Sequence, residues 1–213
     1  MALVFFDLDG TLIKGRSSEK RFFVFLMRRR ILRLLQLAAF LNFTLRWFAH
    51  LRKDVWKKNK AYLTGLKLDK VQHLAEQFVA KAVLPDLRSV VKKRLENHLA
   101  QGDIVVLLTG TPDFIAWPMA KQLGIPNIAA TVCHAKNGCF TSSPPVIHPL
   151  GTAKLQIADQ MCRNFNTTLA ECTAYADSSG DIALLASVSR PVAVYPDSKL
   201  RQFAKRRGWE IIG

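Results

Sequence analysis

The sequence predicts an α/β fold: a parallel sheet covered by helices on both faces, with an all-helical insertion after the first strand. Three observations carry that prediction. From residue 85 onward, short apolar runs alternate with helix-periodic segments of about ten residues or more. The chain opens on one such apolar run. A long basic helical stretch then separates this first run from the second. Strands that alternate with helices return parallel and are buried on both faces, which gives three layers.

The elements follow in order. Ala2 to Asp7 reads as a buried strand ending in the turn Asp7-Leu8-Asp9-Gly10. From about residue 17 to 81 the pattern is helical, with Gly65 its one glycine. Pro85-Asp86 reads as a helix start, after which Leu87, Val90, Val91, Leu95 and Leu99 recur at helical spacing and Gly102 closes the helix. Asp103 to Leu108 is a second buried strand, followed by Thr109-Gly110-Thr111-Pro112. A helix over about 113–123 leads to a short strand near 127–132, and Asn137-Gly138 marks a hairpin turn. A helix over about 152–165, a strand over 171–176, a helix from Asp181, a strand over 191–195 and a helix over 198–207 complete the series. Residues 209–212 form an edge strand. The implied division is a core of 1–13 and 85–213 with an inserted cap of 14–84.

Composition narrows the class. Hydrophobic residues make up 49% of the 213 residues and charged ones 22%, which excludes a disordered chain. The opening run lacks the basic start, long apolar stretch and cleavage site of a secretory signal, so the expected location is cytoplasmic. Cys133, Cys139, Cys162 and Cys172 form no C-x-x-C pair, which points to reduced structural thiols rather than a zinc site. Of the net charge of +15, residues 14–84 carry 17 Lys/Arg against 4 Asp/Glu, or +13, so the cap faces an anionic partner or surface.

Chemistry gathers at the predicted strand ends. Residues two apart on a strand point the same way, so Asp7 and Asp9 can reach one ligand. One carboxylate can attack phosphorus while the other protonates the leaving oxygen and then activates water. Thr109 offers a hydroxyl, and Gly110 a backbone N–H, where phosphate oxygens can be held. Lys154, at a helix start after Gly151-Thr152, supplies a point positive charge suited to phosphate. Asp177 and Asp181, in Asp-Ser-Ser-Gly-Asp after the 171–176 strand, add two more carboxylates at the same edge. Four carboxylates in one cleft call for a cation, and Mg2+ takes oxygen ligands and substrate phosphate together.

With these residues in this order, the chain resembles the haloacid dehalogenase superfamily in its phosphoserine-phosphatase-like branch, whose core is a Rossmann-like three-layer sandwich. The resemblance implies Asp7 as nucleophile and Asp9 as general acid/base, with Thr109, Gly110 and Lys154 holding the phosphoryl group. It implies Mg2+ bound by Asp7, Asp177 and the backbone carbonyl of Asp9, with Asp181 binding directly or through water. Asp9 itself favours phosphomonoester chemistry, because ion-pump relatives carry Thr at that place and the dehalogenases lack the acid.

The insertion sets the substrate expectation. Ile31 to Phe48 is almost wholly apolar, with Arg29, Arg33, Gln36 and Thr44 on one narrow face beside Phe40, and basic residues flank it on both sides. Such a segment suits the headgroup region of an anionic bilayer through residues 28–60, while Arg33, Gln36, Asn42 and Arg46 argue against a transmembrane span. Packing within the cap or against a second subunit is the alternative. Glu19 does not stand at the spacing expected of the carboxylate with which phosphoserine phosphatases hold the substrate amine. The leading expectation is therefore a membrane lipid phosphate such as phosphatidylglycerophosphate, in the manner of the phosphatidylglycerophosphatase C type. The alternative is a soluble phosphoserine-like or phosphosugar ester. A nucleic-acid ligand is not expected, because Phe22, Phe23, Trp47 and Trp56 lie in apolar helical runs and read as buried. A non-catalytic scaffold has no use for a nucleophile, an acid and a metal site together.

Overall fold

The computed structural model describes residues 2–15 and 17–213, with Lys53 described by its backbone alone. Strand β1 (Leu3–Phe6) is followed by helices α1 (Ser18–Arg28), α2 (Leu34–Leu51), α3 (Val55–Lys58) and α4 (Leu68–Phe78). The chain then alternates through α5 (Ser89–Ala100), β2 (Ile104–Pro112), α6 (Asp113–Leu123) and β3 (Asn127–Thr131). A hairpin of β4 (Ala135–Lys136) and β5 (Cys139–Phe140) precedes α7 (Thr152–Asn164), β6 (Thr173–Ala176) and α8 (Ile182–Leu185). Strand β7 (Arg190–Val194), helix α9 (Ser198–Arg207) and strand β8 (Glu210–Ile212) complete the chain.

Among the described residues, six strands form one parallel sheet in the order β3-β2-β1-β6-β7-β8. Its register places the site. Phe6 lies opposite Leu107 on one side and Tyr175 on the other, so β1 and β6 end within one residue of each other while β2 runs on past them to Pro112. Ligands bind beyond such ends in open α/β sheets.

The period-2 alternation of β1 splits the core. Val4 and Phe6 join Val105 and Leu107 beneath α5, α6 and the helical insertion, while Leu3 and Phe5 join Val106, Leu108 and Ala174 beneath α7, α8 and α9. The insertion leaves and rejoins the sheet through two adjacent strands of backbone. Ile13 bridges Leu87 antiparallel, Lys14 N donates to Asp86 O at 2.8 Å, and Arg88 N donates to Leu12 O at 2.9 Å. Phe22 of α1 fixes the insertion to the core, buried against Phe25, Phe78 and, across the boundary, Phe114 of α6.

Several elements depart from the sequence reading. Helix α5 starts at Ser89, because Pro85 is taken into a 3-10 turn, Leu84–Asp86, and Leu87 is extended (ψ 133°). Thr109 lies inside β2, which runs on to Pro112 through a register shift after Leu108. Helix α2 starts at Leu34, where the Gln36 side chain accepts from Arg33 N at 2.9 Å, so Arg29 and Arg33 precede the helix. Gln36 and Thr44 turn inward rather than to solvent. Trp56, read as buried, is 61% exposed on the short α3. The four cysteines are free thiols, and Cys162 and Cys172 meet in the core with their sulfurs 3.5 Å apart.

Phe22→Ala removes a fully buried ring from the junction between insertion and core. Urea unfolding should show a loss of about 3–5 kcal/mol, the usual cost of such a truncation. An unchanged midpoint would mean that the insertion is not held by this cluster.

Candidate active site

Asp7 is the first residue beyond β1, and its N–H donates to Tyr175 O at 3.0 Å, which continues the sheet register by one step. Its side chain is buried. Across the sheet end, the first turn of α7 delivers Lys154, whose Nζ donates to Asp7 Oδ1 at 2.7 Å and pairs with Asp181 Oδ1 at 2.9 Å. Asp177 follows β6, and Asp181 ends the 3-10 turn Ser179–Asp181. One carboxylate oxygen from each of Asp7, Asp177 and Asp181 lies within 4.8 Å of the others.

The backbone around this cluster leaves no slack. Gly10 has φ +83°, and a Cβ placed on it would sit 2.0 Å from Asp177 Oδ2, so only glycine lets the β1 turn and the β6 loop come together. Arg88 Nε donates to Gly10 O at 3.1 Å and holds the turn from the α5 side. Thr11 Oγ1 donates to Asp177 Oδ1 at 3.4 Å. Asp197 accepts from Ser179 N at 2.7 Å, while its own N–H donates to Asp177 O at 2.9 Å, which fixes the loop that carries both later carboxylates.

Asp9 stands apart from the other three carboxylates. Its Oδ2 accepts from Thr111 Oγ1 at 2.7 Å and from Ser18 Oγ at 3.1 Å, and its Oδ1 accepts from Ser18 N at 2.8 Å. Of the four carboxylates expected in one cleft, Asp7, Asp177 and Asp181 form the close group, and Asp9 is held separately by these three hydrogen bonds. Thr109 is buried, its Oγ1 accepting from Thr111 N at 3.1 Å, which leaves its hydroxyl proton free to donate. Gly110 O accepts from Thr131 Oγ1 at 2.6 Å.

Ser18, Thr111 and Thr11 went unassigned in the sequence. Thr111 was within reach of a period-2 reading, because it stands two residues beyond Thr109 on the same strand. Ser18 carries no such signal, since nothing in the spacing shows that α1 begins over Asp9. One residue further along α1, Glu19 forms an ion pair with buried Lys60 and accepts from Tyr62 OH at 3.1 Å. Ser18 ties that turn of helix to Asp9, while Glu19 itself is engaged by Lys60 and Tyr62.

Electrostatics follow from burial. Desolvation, the largest influence, pushes the Asp7 carboxyl up to about 7; Lys154 pulls it down, and the Asp181 and Asp177 charges push it back. Asp177 is pushed up to about 6, by burial first and by Asp181 second. Burial also raises Asp9, against the hydrogen bonds from Thr111 and Ser18. For Lys154, burial alone would lower the ammonium, but Asp181 and Asp7 together outweigh it and hold the group above its ordinary range. An all-oxygen donor set crowded in this way fits a hard divalent cation, which would relieve the repulsion.

Comparison with known proteins gives the family and the fold. The profile of the haloacid dehalogenase-like hydrolases matches residues 4–186. A phosphoserine phosphatase of Mycobacterium tuberculosis is 31% identical over 99% of this chain and 70% of its own length. A histidinol-phosphatase of Neisseria meningitidis is 28% identical over 99% of this chain and 97% of its own. Among solved structures, a protein of unknown function from Bordetella pertussis superposes with a TM-score of 0.75 at 26% identity, covering 100% of this chain and 98% of the other. A phosphoserine phosphatase solved as a phospho-aspartyl intermediate analogue shares the fold, with a TM-score of 0.64 at 17% identity over 99% and 92% of the two chains.

The raised carboxyls make stability depend on pH. Asp7 and Asp177 bind protons more tightly folded than unfolded, so the metal-free protein loses stability as pH climbs from about 4 through about 7. Thermal melts in chelator should show a falling Tm over that window. Added Mg2+ should raise the Tm more at pH 8 than at pH 5, because the cation needs the ionised forms. An equal shift at both values would place cation binding elsewhere.

Proposed function

The chain belongs to the haloacid dehalogenase-like hydrolases and is a phosphatase of that family, and we propose that it hydrolyses a small soluble phosphomonoester bearing an amino group. Asp7 is the proposed nucleophile: its oxygen attacks phosphorus and forms an aspartyl-phosphate while the ester oxygen departs. Asp9 gives that oxygen its proton and then takes a proton from the water that cleaves the aspartyl-phosphate, regenerating Asp7 and releasing inorganic phosphate. The observation that carries this reading is the separation of the two carboxylates. Asp7 is held by Lys154 among charges, whereas Asp9 is held by two hydroxyls and one N–H and is favoured in its protonated form by burial.

The remaining residues position and neutralise. Lys154 offers its remaining donor capacity to the phosphoryl oxygens, joined by the Thr109 hydroxyl and the Gly110 N–H. Asp7, Asp177 and Asp181 are the residues proposed to hold Mg2+, with the Asp9 main-chain carbonyl as the resemblance implies, and the ion supplies charge neutralisation when bound. Phosphoryl transfer depends chiefly on such positioning and electrostatics.

The Glu19–Lys60–Tyr62 group supports the amine-bearing substrate. A carboxylate with a cationic partner and a phenol, one residue from the anchor of Asp9, can exchange part of its pairing for a substrate ammonium. The names of two relatives, a phosphoserine phosphatase and a histidinol-phosphatase, both describe phosphate esters of amino compounds. This favours the second of the two substrate readings taken from the sequence over the lipid phosphate.

Asp7→Asn should lower turnover of every substrate by about three orders of magnitude or more, since the covalent step has no substitute nucleophile. Unchanged turnover would end the proposed chemistry. Glu19→Gln should raise KM for phosphoserine or histidinol phosphate about tenfold while leaving a plain aryl phosphate within about twofold. A panel in which only phosphatidylglycerophosphate is hydrolysed would overturn the substrate assignment and leave the phosphatase reading standing.

A further inference from the structure

We propose that the outer face of α2 docks the protein onto an anionic lipid bilayer. Helix α2 is apolar on both sides. Its inner side packs Phe43, Ala39 and Trp47 against Val55 and Ala61, and sets Gln36 and Thr44 among them. Gln36 Nε2 donates to Thr64 O at 3.0 Å, and buried Asn59 reaches across to Phe40 O at 2.9 Å and Thr44 Oγ1 at 3.0 Å. The outer side carries Leu34, Leu37, Leu41, Leu45 and Phe48, spaced three and four residues apart on one stripe, with Leu34 84% and Leu45 81% exposed. With the inner side already packed, the outer stripe is left uncovered among the described residues, and it suits an apolar neighbour outside the fold. From Leu34 to Phe48 the stripe is about 21 Å long at about 1.5 Å per residue.

The charges around the stripe identify that neighbour. Arg30 and Arg33 precede the helix, Arg46 borders the stripe, and Arg52 and Lys57 follow; all five are exposed, and none pairs with a carboxylate among the described residues. Exposed Trp56 sits beyond the helix end, where an indole suits the boundary between headgroups and acyl chains. An apolar stripe rimmed by arginine and lysine matches an interfacial helix lying in the plane of a negatively charged leaflet. No helix among the described residues is long and apolar enough to cross a membrane, so the fit is to the surface.

Charge also decides against other occupants. A second copy meeting this face would bring two segments of +13 together. Nucleic acid would meet the arginines, but four of the five stripe residues are leucines, which give its bases no ring to stack on. None of the outer-face residues belongs to the active site, so docking and turnover are separable.

Co-sedimentation with vesicles tests this, using phosphatidylcholine alone and phosphatidylcholine mixed with phosphatidylglycerol. The wild-type protein should bind the mixed vesicles about tenfold or more tightly than the neutral ones at moderate salt. The double variant Leu41→Ser, Leu45→Ser should lose that binding by a similar factor, yet keep its Tm and its turnover of a soluble ester. Arg30→Gln with Arg33→Gln should weaken binding and flatten its salt dependence. Absence of binding to anionic vesicles would overturn the proposal, as would undiminished binding by the serine variant. So would a dimer, seen by sedimentation velocity, that the serine variant dissolves. These readouts do not depend on catalysis, so their failure would leave the phosphatase assignment untouched.

Discussion

A lysine buried at the amino end of a helix is doubly out of place, and the site is organised around correcting it. Lys154 is 3% exposed and stands in the first turn of α7, where the helix dipole repels a cation. Only Asp7 and Asp181 make the position tenable, and removing one partner of such a buried pair typically costs about 3–5 kcal/mol. The same pairing ties β1 to α7 and the β6 loop, elements 147 residues apart in the chain for the Asp7 contact. Fully ionised, three carboxylates and one ammonium would leave the group at −3 + 1 = −2, and burial with that mutual repulsion raises Asp7 and Asp177 toward their protonated forms. A divalent cation would offset the excess, which is why the proposed Mg2+ and the proposed phosphate substrate go together.

Asp9 is governed by a different constraint. Its three hydrogen bonds come from two different parts of the chain, Thr111 in β2 of the core and Ser18 at the start of the inserted helices. The insertion therefore does more than cover the sheet edge: its first helix orients Asp9, the carboxylate proposed as acid/base. Phe22, one turn further on, packs against Phe114 of α6 and makes that orientation depend on the junction between insertion and core. A substrate group that disturbs Glu19 would be felt at Asp9 through two adjacent residues of α1.

The core of this arrangement was legible because it is local. Asp7, Thr109, Lys154, Asp177 and Asp181 each stand at or near a strand end or helix start, and hydrophobic periodicity alone locates those ends to within a few residues. The sheet order and parallel pairing then bring these ends to one edge. What the sequence did not show depends on long-range packing. Ser18 reaches Asp9 only because of how α1 leaves the sheet, and Glu19 meets Lys60 and Tyr62 across 41 and 43 residues. The separation of Asp9 from the other carboxylates was equally hidden, because it follows from the turn after β1 rather than from strand alternation. The inward turn of Gln36 and Thr44 was hidden as well: a helical wheel shows that the polar groups share a face, and only the packed neighbours show which way that face looks.

The insertion thus has two ends with opposite chemistry. Its inner end presents Ser18, Glu19, Lys60 and Tyr62, polar groups that are paired with one another or with the core. Its outer end presents leucine and phenylalanine ringed by arginine. Burying Gln36 and Asn59 beneath α2 is costly unless every amide finds a partner, and here the described hydrogen bonds supply those partners from the backbone and Thr44. Phe43, Ala39 and Trp47 already pack the inner side of α2 against Val55 and Ala61, so the fold holds the helix without its outer leucines. The groups around Glu19 belong to α1 and the segment after α3, whereas the leucine stripe belongs to α2, so the two surfaces of the insertion can be tuned independently.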